Sequence, residues 1–310
     1  MAKRPIISDI HGNGPALKAV LNYILKELDI QLENVINLGD TIGYYPFVNE
    51  CLDLTRRLGI KTLKGNHCEG CSDDVEDLEK YFNENRWSPH SRPPVVYARK
   101  ELESSPRNLE FLKNSAYIEN ENGFGYTHSN PISPGDFDIY LPDYLKPDQS
   151  GQPIVQVHQL VNSMLERILF VGHSHIPSIT RLDEEDSNNY NIINDENIYQ
   201  PFPLDDDRKY LINAGSVGQP RDGNKDACFC VFDEDTTTLQ FHRVHYNIEE
   251  TQKKTIEAKY GLALIRKAKV DEDKLNELNK KYFDAVVQNN DRGVKIDVSL
   301  SLSNRLALGK

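Results

Sequence analysis

The segment PIISDIHGNGPALKAVLNYIL, residues 5–25, decides the fold predicted for this chain. Residues 6–8 form a short apolar run that predicts a buried strand. Pro15 then opens a stretch in which apolar residues repeat at helical spacing, with Asn13 or Gly14 as the predicted helix cap. A strand, a polar loop and a helix therefore follow one another, and the loop ends at the start of the helix.

The same unit recurs immediately downstream. Residues 35–38 resemble a strand, 39–46 a loop and 47–58 a helix that stops at Gly59, and a third strand is predicted over 60–63. This order predicts right-handed crossovers and a sheet with parallel core strands. Ligands usually lie at the carboxyl ends of such strands.

The second half of the chain shows short strands separated by turn residues. The pair 122–123 and the run 233–235 predict hairpin turns, so a mixed or antiparallel sheet is expected here. Residues 183–207 are acidic and rich in Asn, and we predict a solvated loop. The predicted strands are 116–119, 124–128, 168–171, 209–213, 227–232 and 239–246.

One domain is predicted over residues 1–246, with lid-like segments at 68–113 and 131–166. Residues 247–310 are predicted to form C-terminal helices and a terminal strand packed on the same domain. Strict alternation of apolar and polar residues over 294–302 indicates a half-buried strand. It either completes a sheet of its own chain or adds to the sheet of a partner, which would make an oligomer.

Composition limits the classes of protein and partner. The net charge of -12 disfavours binding of duplex nucleic acid, which needs a basic patch. No apolar run approaches the roughly 18 residues that predict a membrane span. The first motif begins too early to leave room for a removable secretory signal, and five thinly spread cysteines fit reduced thiols. We therefore expect a cytoplasmic protein that does not bind membranes.

Candidate metal ligands are concentrated in short segments that each follow a predicted strand. Five of the nine histidines lie in them. Carboxylate, amide and imidazole groups without a thiolate suit manganese, iron, cobalt or zinc, and so many imidazoles make magnesium less suitable. The segments are Asp9-Ile10-His11, Gly39-Asp40, Gly65-Asn66-His67, His128 and Gly172-His173-Ser174-His175.

In order and spacing, these segments resemble the motifs of the calcineurin-like metallophosphoesterases. Residues 212–223, INAGSVGQPRDG, resemble the closing motif of the bacterial predicted-phosphoesterase branch, which includes enzymes similar to small phosphodiesterases and dinucleoside-polyphosphate hydrolases. The resemblance covers residues 5–246. It implies an α/β (α+β) fold, a four-layer αββα sandwich of two mixed sheets flanked by helices, with metals at one end.

The resemblance also implies a ligand set for two divalent cations. Two cations about 3.5 to 4 Å apart need a bridging carboxylate to offset their repulsion. Manganese is the first expectation, with iron, zinc, cobalt or nickel as alternatives. The implied ligands are Asp9, His11 and His175 for one metal, Asn66, His128 and His173 for the other, and Asp40 for both.

The implied reaction is in-line attack on phosphorus by a hydroxide that bridges the metals. His67 would protonate the leaving oxygen or stabilise its charge. Asn13 and Arg221 are candidate phosphate contacts, with a helix cap and a surface loop as their structural alternatives.

Three features depart from the family pattern. Cys68 stands where relatives usually carry Asp or Glu to orient the preceding histidine. Cys68 and Cys71 have redox spacing, which leaves a regulatory disulfide as the alternative to buried thiols. Residues 39–45 lack the arginine that resembles the phosphate clamp of protein phosphatases. Tyr44 and Tyr45 would instead stack on a base or aryl group, or pack in the core.

The predicted function is hydrolysis of phosphoester or phosphoanhydride bonds in a small phosphorylated or nucleotide substrate, as a small-molecule or nucleotide phosphodiesterase. A phosphoprotein phosphatase is the alternative enzyme. A non-catalytic scaffold with the same fold is the alternative of another class.

Overall fold

The structure is a computed structural model that describes residues 3–74, 77–85, 87–88, 91–141, 156–182 and 190–258. The strands of this part of the chain form two six-stranded sheets. They are β1 Lys3–Ile7, β2 Ile36–Asn37, β3 Lys61–Thr62, β4 Ile118–Glu121, β5 Phe124–Thr127, β6 Ile168–Val171, β7 Ser178–Leu182, β8 Tyr190–Ile193, β9 Phe202–Pro203, β10 Lys209–Asn213, β11 Ala227–Asp233 and β12 Thr238–Val244.

Both sheets are mixed, as predicted. The first has the order β3-β2-β1-β11-β12-β9, and its first three strands are parallel. The second has the order β4-β5-β6-β10-β7-β8, in which β5, β6 and β10 are parallel. Antiparallel strands flank each parallel group. The carboxyl ends of β1, β2 and β3, and those of β5 and β6, therefore meet at one end of the molecule.

Eight α-helices are described; the first packs on the outer face of the first sheet, and those within residues 66–113 pack mainly on one another. Pro15 lies in the first turn of α1, and the side chain of Asn13 accepts a hydrogen bond from the N–H of Ala16, which caps this helix. The helices are α1 Gly14–Lys26, α2 Val48–Arg57, α3 Asn66–Ser72, α4 Leu78–Glu84, α5 Arg92–Glu103, α6 Pro106–Lys113, α7 Gln156–Ser163 and α8 Ile248–Glu257.

Strand β11 shows how the layers are held together. Its alternate residues Cys228, Cys230 and Phe232 face the core between the sheets. Ala227 and Phe229 belong to the core beneath α1. Alternate residues of β6 likewise face the inter-sheet core and the core beneath α7. Two sheets with helices on both outer faces confirm the four-layer αββα sandwich.

The predicted loop over 183–207 is wrong in part. Residues 190–193 form β8, which pairs antiparallel with β7, and residues 202–203 form β9, which pairs with β12. Ile193 and Phe202 pack against the inter-sheet core, so apolar burial outweighs the acidic composition of the surrounding segment. Strand β7 was not predicted at all.

Part of the C-terminal region can be compared with its prediction. Helix α8 is capped by Asn247, whose side chain accepts a hydrogen bond from the N–H of Glu250, and Thr251 donates one to Asn13 at the start of α1. The predicted terminal strand over 294–302 and the helix before it lie outside the described residues. Within the described part, no helix combines the length and apolarity that a membrane crossing requires.

Gly59 provides a test of the backbone at the end of α2. Its φ is +67°, and no described atom lies within 4 Å of an added Cβ, so Gly59→Ala changes only backbone strain. We expect a loss of about 1 kcal/mol in the free energy of unfolding. Gly135→Ala is the matched control, because Gly135 does not have a left-handed φ and its nearest neighbours would be at 3.6 Å. Urea unfolding measures both, and equal midpoints would contradict the assignment of strain.

Candidate metal centre

The loops after five strands bring their polar side chains together. Asp9 follows β1, and its Oδ1 lies 3.2 Å from Nε2 of His175, 3.7 Å from Nε2 of His11 and 3.9 Å from Nε2 of His128. These histidines come from three different loops. Asp9 thus lies at the meeting point of both sheets.

Asp40, which follows β2, contacts the same cluster from the other side. Its Oδ2 lies 3.3 Å from Nε2 of His128 and 3.7 Å from Nε2 of His11. Its Oδ1 accepts a 2.8 Å hydrogen bond from the backbone N–H of His67. One carboxylate oxygen is therefore fixed by the start of α3, and the other faces two imidazoles.

The donor atoms fall into overlapping groups whose atoms lie within 4.8 Å of one another. Asp40 belongs to two of the three groups and so lies between the remaining ligands. The groups are Asp9 with His11 and His175, Asp40 with His128 and His173, and His11 with Asp40 and His67.

The backbone at these positions is strained. Eight described residues other than glycine have a positive φ, and five of them are candidate ligands. Such backbone is unfavourable for residues with a Cβ and is retained mainly where function requires it. The five are Asp9 at 53°, His11 at 51°, Asp40 at 47°, His173 at 64° and His175 at 62°.

Close packing of backbone fixes the carboxylates. A Cβ added at Gly65 would collide with Asp40, and one added at Gly172 would collide with Ser8 and Asp9. The N–H of His173 also donates a 3.0 Å hydrogen bond to Oδ2 of Asp9. Glycine before each of these ligand loops is therefore a steric requirement of the site.

The donors at this site fit a divalent cation. Oδ1 of Asp9, Oδ1 of Asn66 and Nε2 of His128 are buried and have no hydrogen-bond partner of acceptable geometry among the described residues. Buried polar atoms are normally partnered, so these three atoms point to a missing ligand. Carboxylate, amide oxygen and imidazole together match the preferences of manganese, iron, cobalt, nickel or zinc.

Most protonation states also suit metal binding; the exception is His128, where burial alone would lower the pKa but the charges of Asp40 and Asp9 raise it. Burial lowers the pKa of His173 to about 3, and burial likewise lowers the pKa values of His11 and His175. Burial alone would raise the pKa of Asp9 and of Asp40, but the surrounding histidines lower both below the usual range. Neutral imidazoles and ionised carboxylates are the forms that bind cations.

The side-chain amide of Asn13 is hydrogen-bonded to protein groups at both ends. Its Oδ1 accepts hydrogen bonds from the N–H of Ala16 and the hydroxyl of Thr251, and its Nδ2 donates to the carbonyl of Gly218 and the hydroxyl of Tyr246. Because both ends of the amide have protein partners, Asn13 acts as the helix cap. These partners favour the helix-cap alternative, and the phosphate contact stays a prediction.

Arg221 is exposed and lines a cavity of about 550 Å³ that opens onto the cluster. Its Nη2 donates a 2.8 Å hydrogen bond to the side-chain Oε1 of Gln219. The backbone carbonyl oxygen of Gln219 lies 2.5 Å from Nδ1 of His175. The structure thus places the guanidinium beside the ligands, on a loop attached to one of them.

His67 lies between the cluster and the cavity wall. Its ring centroid is 4.7 Å from that of Tyr44 and 4.8 Å from that of Trp87, and burial lowers its pKa to about 4. Cys68 and Cys71 are buried free thiols on α3, and burial raises the pKa of Cys68 to about 11. Both cysteines therefore match the prediction of buried thiols. His67 is oriented by packing against the neighbouring rings.

Sequence reasoning missed most of the cavity wall. Tyr44 lines the cavity, whereas its neighbour Tyr45 is buried. The remaining wall comes from segments predicted only as lid-like. The chain's single tryptophan in such a segment was the available signal. The added lining residues are Glu69, Tyr81, Asn85, Trp87, Ser88, Ser91, Gly135, Asp136, Phe137 and Asp138.

The chain is similar to known proteins in sequence and in fold. The model of the calcineurin-like phosphoesterase superfamily domain matches residues 3–237. An uncharacterised protein of Methanocaldococcus jannaschii is 35% identical over 255 residues, which cover 81% of this chain and 90% of the relative. The metallophosphoesterase structure from Sphaerobacter thermophilus is 25% identical, with a TM-score of 0.62 over 90% of this chain and 99% of that one. A hypothetical protein from Pyrococcus horikoshii OT3, 20% identical, shares the fold with a TM-score of 0.62 over 96% and 100% of the two chains.

Asp40→Asn tests the cluster as a metal site. Asparagine keeps the acceptor for the N–H of His67 but removes the central negative charge, so we expect metal affinity to fall at least about 10-fold. Metal content after dialysis, measured by mass spectrometry, is the readout. Asp206→Asn is the control, because the side chain of Asp206 is 93% exposed. Equal metal content in the two variants would argue against Asp40 as a ligand.

Proposed function

The chain belongs to the calcineurin-like phosphoesterase superfamily, and we propose that it is a hydrolase that uses two divalent cations to cleave phosphoester or phosphoanhydride bonds. The observation that carries the proposal is the position of Asp40. Its Oδ2 faces His11 at 3.7 Å on one side and His128 at 3.3 Å on the other. A carboxylate between two ligand groups is suited to bridge two cations.

The chain supplies a ligand set for each cation. Asp9, His11 and His175 would hold one, together with Asp40. Bound cations would lower the pKa of water and neutralise charge on the phosphoryl oxygens. Asn66 fits the second set because its Oδ1 is buried without a hydrogen-bond partner among the described residues. The second set is Asn66, His128 and His173, with Asp40 shared.

Two further side chains act on the substrate. His67 faces the cavity and would donate an N–H or a proton to the leaving oxygen. Arg221 adds a positive charge to the same wall and would contact a phosphoryl oxygen. We infer a small-molecule or nucleotide phosphodiesterase, for which manganese is the first metal to test. Buried, complete ligand groups support an enzyme over a scaffold.

The cellular location is part of the proposal. All five cysteines are buried free thiols in the described structure. Reduced thiols are typical of the cytoplasm. We therefore propose that the protein works there, on small phosphorylated substrates.

Metal removal and replacement test the activity. The protein stripped of metal should not hydrolyse chromogenic mono- and diesters, and added manganese should restore turnover, with diesters preferred over phosphopeptides. Asp40→Asn should stay inactive under the same conditions, because it lacks the carboxylate that both cations would share. Absence of turnover with every metal tried would favour the scaffold.

His67→Ala tests the role at the leaving oxygen. We expect retained metal and turnover slowed by about 100-fold or more, because the N–H or proton that His67 supplies to the leaving oxygen is lost. The loss should be larger for alkyl esters than for p-nitrophenyl esters, whose leaving group needs no proton. A uniform loss across leaving groups would rule out this role.

A further inference from the structure

We infer that the cavity takes a phosphodiester that carries a planar ring, such as a nucleobase, on each side of phosphorus, and that it disfavours polyanionic phosphates. This inference rests on the proposed function and names its substrate class. It depends on aromatic side chains at two sides of the ligand cluster and on the charges of the cavity wall.

The first aromatic wall lies beside His67. The centroid of Tyr44 is 4.7 Å from the centroids of both His11 and His67, and Trp87 packs against His67 at 4.8 Å. Tyr44 is half-buried, and both rings line the cavity. Because His67 serves the leaving oxygen, the leaving group of a substrate would lie against this wall.

The second aromatic wall lies beside the other ligand group. The ring of Phe137 is 5.8 Å from that of His128 and 6.2 Å from that of His173. Phe137 is half-buried and also lines the cavity. A phosphorus atom at the cluster would therefore have rings on two sides. A monoester has one substituent to place there, whereas a diester has two.

Charge selects among substrates with two substituents. The described lining includes three carboxylates, Glu69, Asp136 and Asp138, against the single guanidinium of Arg221. The cations would neutralise the phosphoryl group that they hold, but the wall carboxylates would repel each further negative charge, so a diester with one charge is favoured over a dinucleoside polyphosphate. Aspartate carboxylates also accept hydrogen bonds from the amino groups of bases.

Kinetics on a matched substrate pair test the wall at Phe137. The p-nitrophenyl ester of thymidine 5′-phosphate and methyl p-nitrophenyl phosphate share a leaving group and differ on the retained side. We expect kcat/KM to be at least about 10-fold higher for the thymidine ester, since stacking of a base on an aromatic ring is favourable. Phe137→Leu should bring the ratio close to one. Phe111→Leu, which removes a half-buried ring from α6 outside this cavity, should leave the ratio unchanged.

The outcomes separate the two proposals. Rapid turnover of both esters with equal kcat/KM overturns the inference and leaves the proposed function intact. Absence of turnover with every ester and metal overturns the proposed function, and the inference falls with it.

Two aspartates of the cavity wall test the effect of charge on substrate choice. Asp136→Asn with Asp138→Asn should raise kcat/KM for diadenosine tetraphosphate at least about 5-fold relative to the thymidine ester at low ionic strength, where charge repulsion is least screened. Asp206→Asn with Asp207→Asn is the control, because both side chains are exposed. Equal use of the tetraphosphate and the diester by the unaltered protein would contradict the inference.

Binding gives a readout independent of turnover. The chain has one tryptophan, and it lines the cavity, so its fluorescence reports occupancy. We expect adenosine 5′-monophosphate to change the tryptophan fluorescence of the zinc-loaded protein. The concentration that gives half of the full change should be at least about 10-fold lower than for ribose 5-phosphate, which lacks the base. Equal half-saturating concentrations would show that no ring is recognised.

Discussion

The site depends on two buried carboxylates whose negative charge must be compensated. Asp9 and Asp40 are 0% and 1% exposed, and ionised groups are very unfavourable in the interior unless opposite charge compensates them. Imidazoles from several loops surround them, yet Oδ1 of Asp9 accepts no hydrogen bond of acceptable geometry from the described residues. Bound cations would supply further compensation. The strained backbone at both residues holds them where such cations would bind, with Asp40 between the two ligand groups.

The convergence of the ligands could be predicted from the sequence because of a geometric rule. Polar residues that follow parallel strands meet at one edge of a sheet, so the order of strands and loops along the chain is enough to group Asp9 with Asp40 on the first sheet and His128 with His173 on the second. Strands 168–171 and 209–213 were predicted with the bounds that the structure has. Their short apolar runs are buried on both faces, and that pattern is a strong strand signal.

Other features carried weak or ambiguous signals. Strand β8 is four residues long and lies next to an acidic stretch, so composition favoured a loop although burial of Ile193 favours a strand. Asn13 had two interpretations, and only the partners of its amide distinguish them. Tyr44 lines the cavity, whereas its neighbour Tyr45 is buried. Side chains of a loop do not alternate with a regular period, so the sequence cannot predict which of the two is buried. The aromatic walls were hidden for the same reason.

The most direct test is a crystal structure of the manganese-loaded protein with an anomalous difference map. Two peaks about 3.5 to 4 Å apart, both in contact with the carboxylate of Asp40, are the result expected of a shared binuclear site. A map with no peak, or with a single peak that does not touch Asp40, would contradict the central claim that two cations are held between these strand ends.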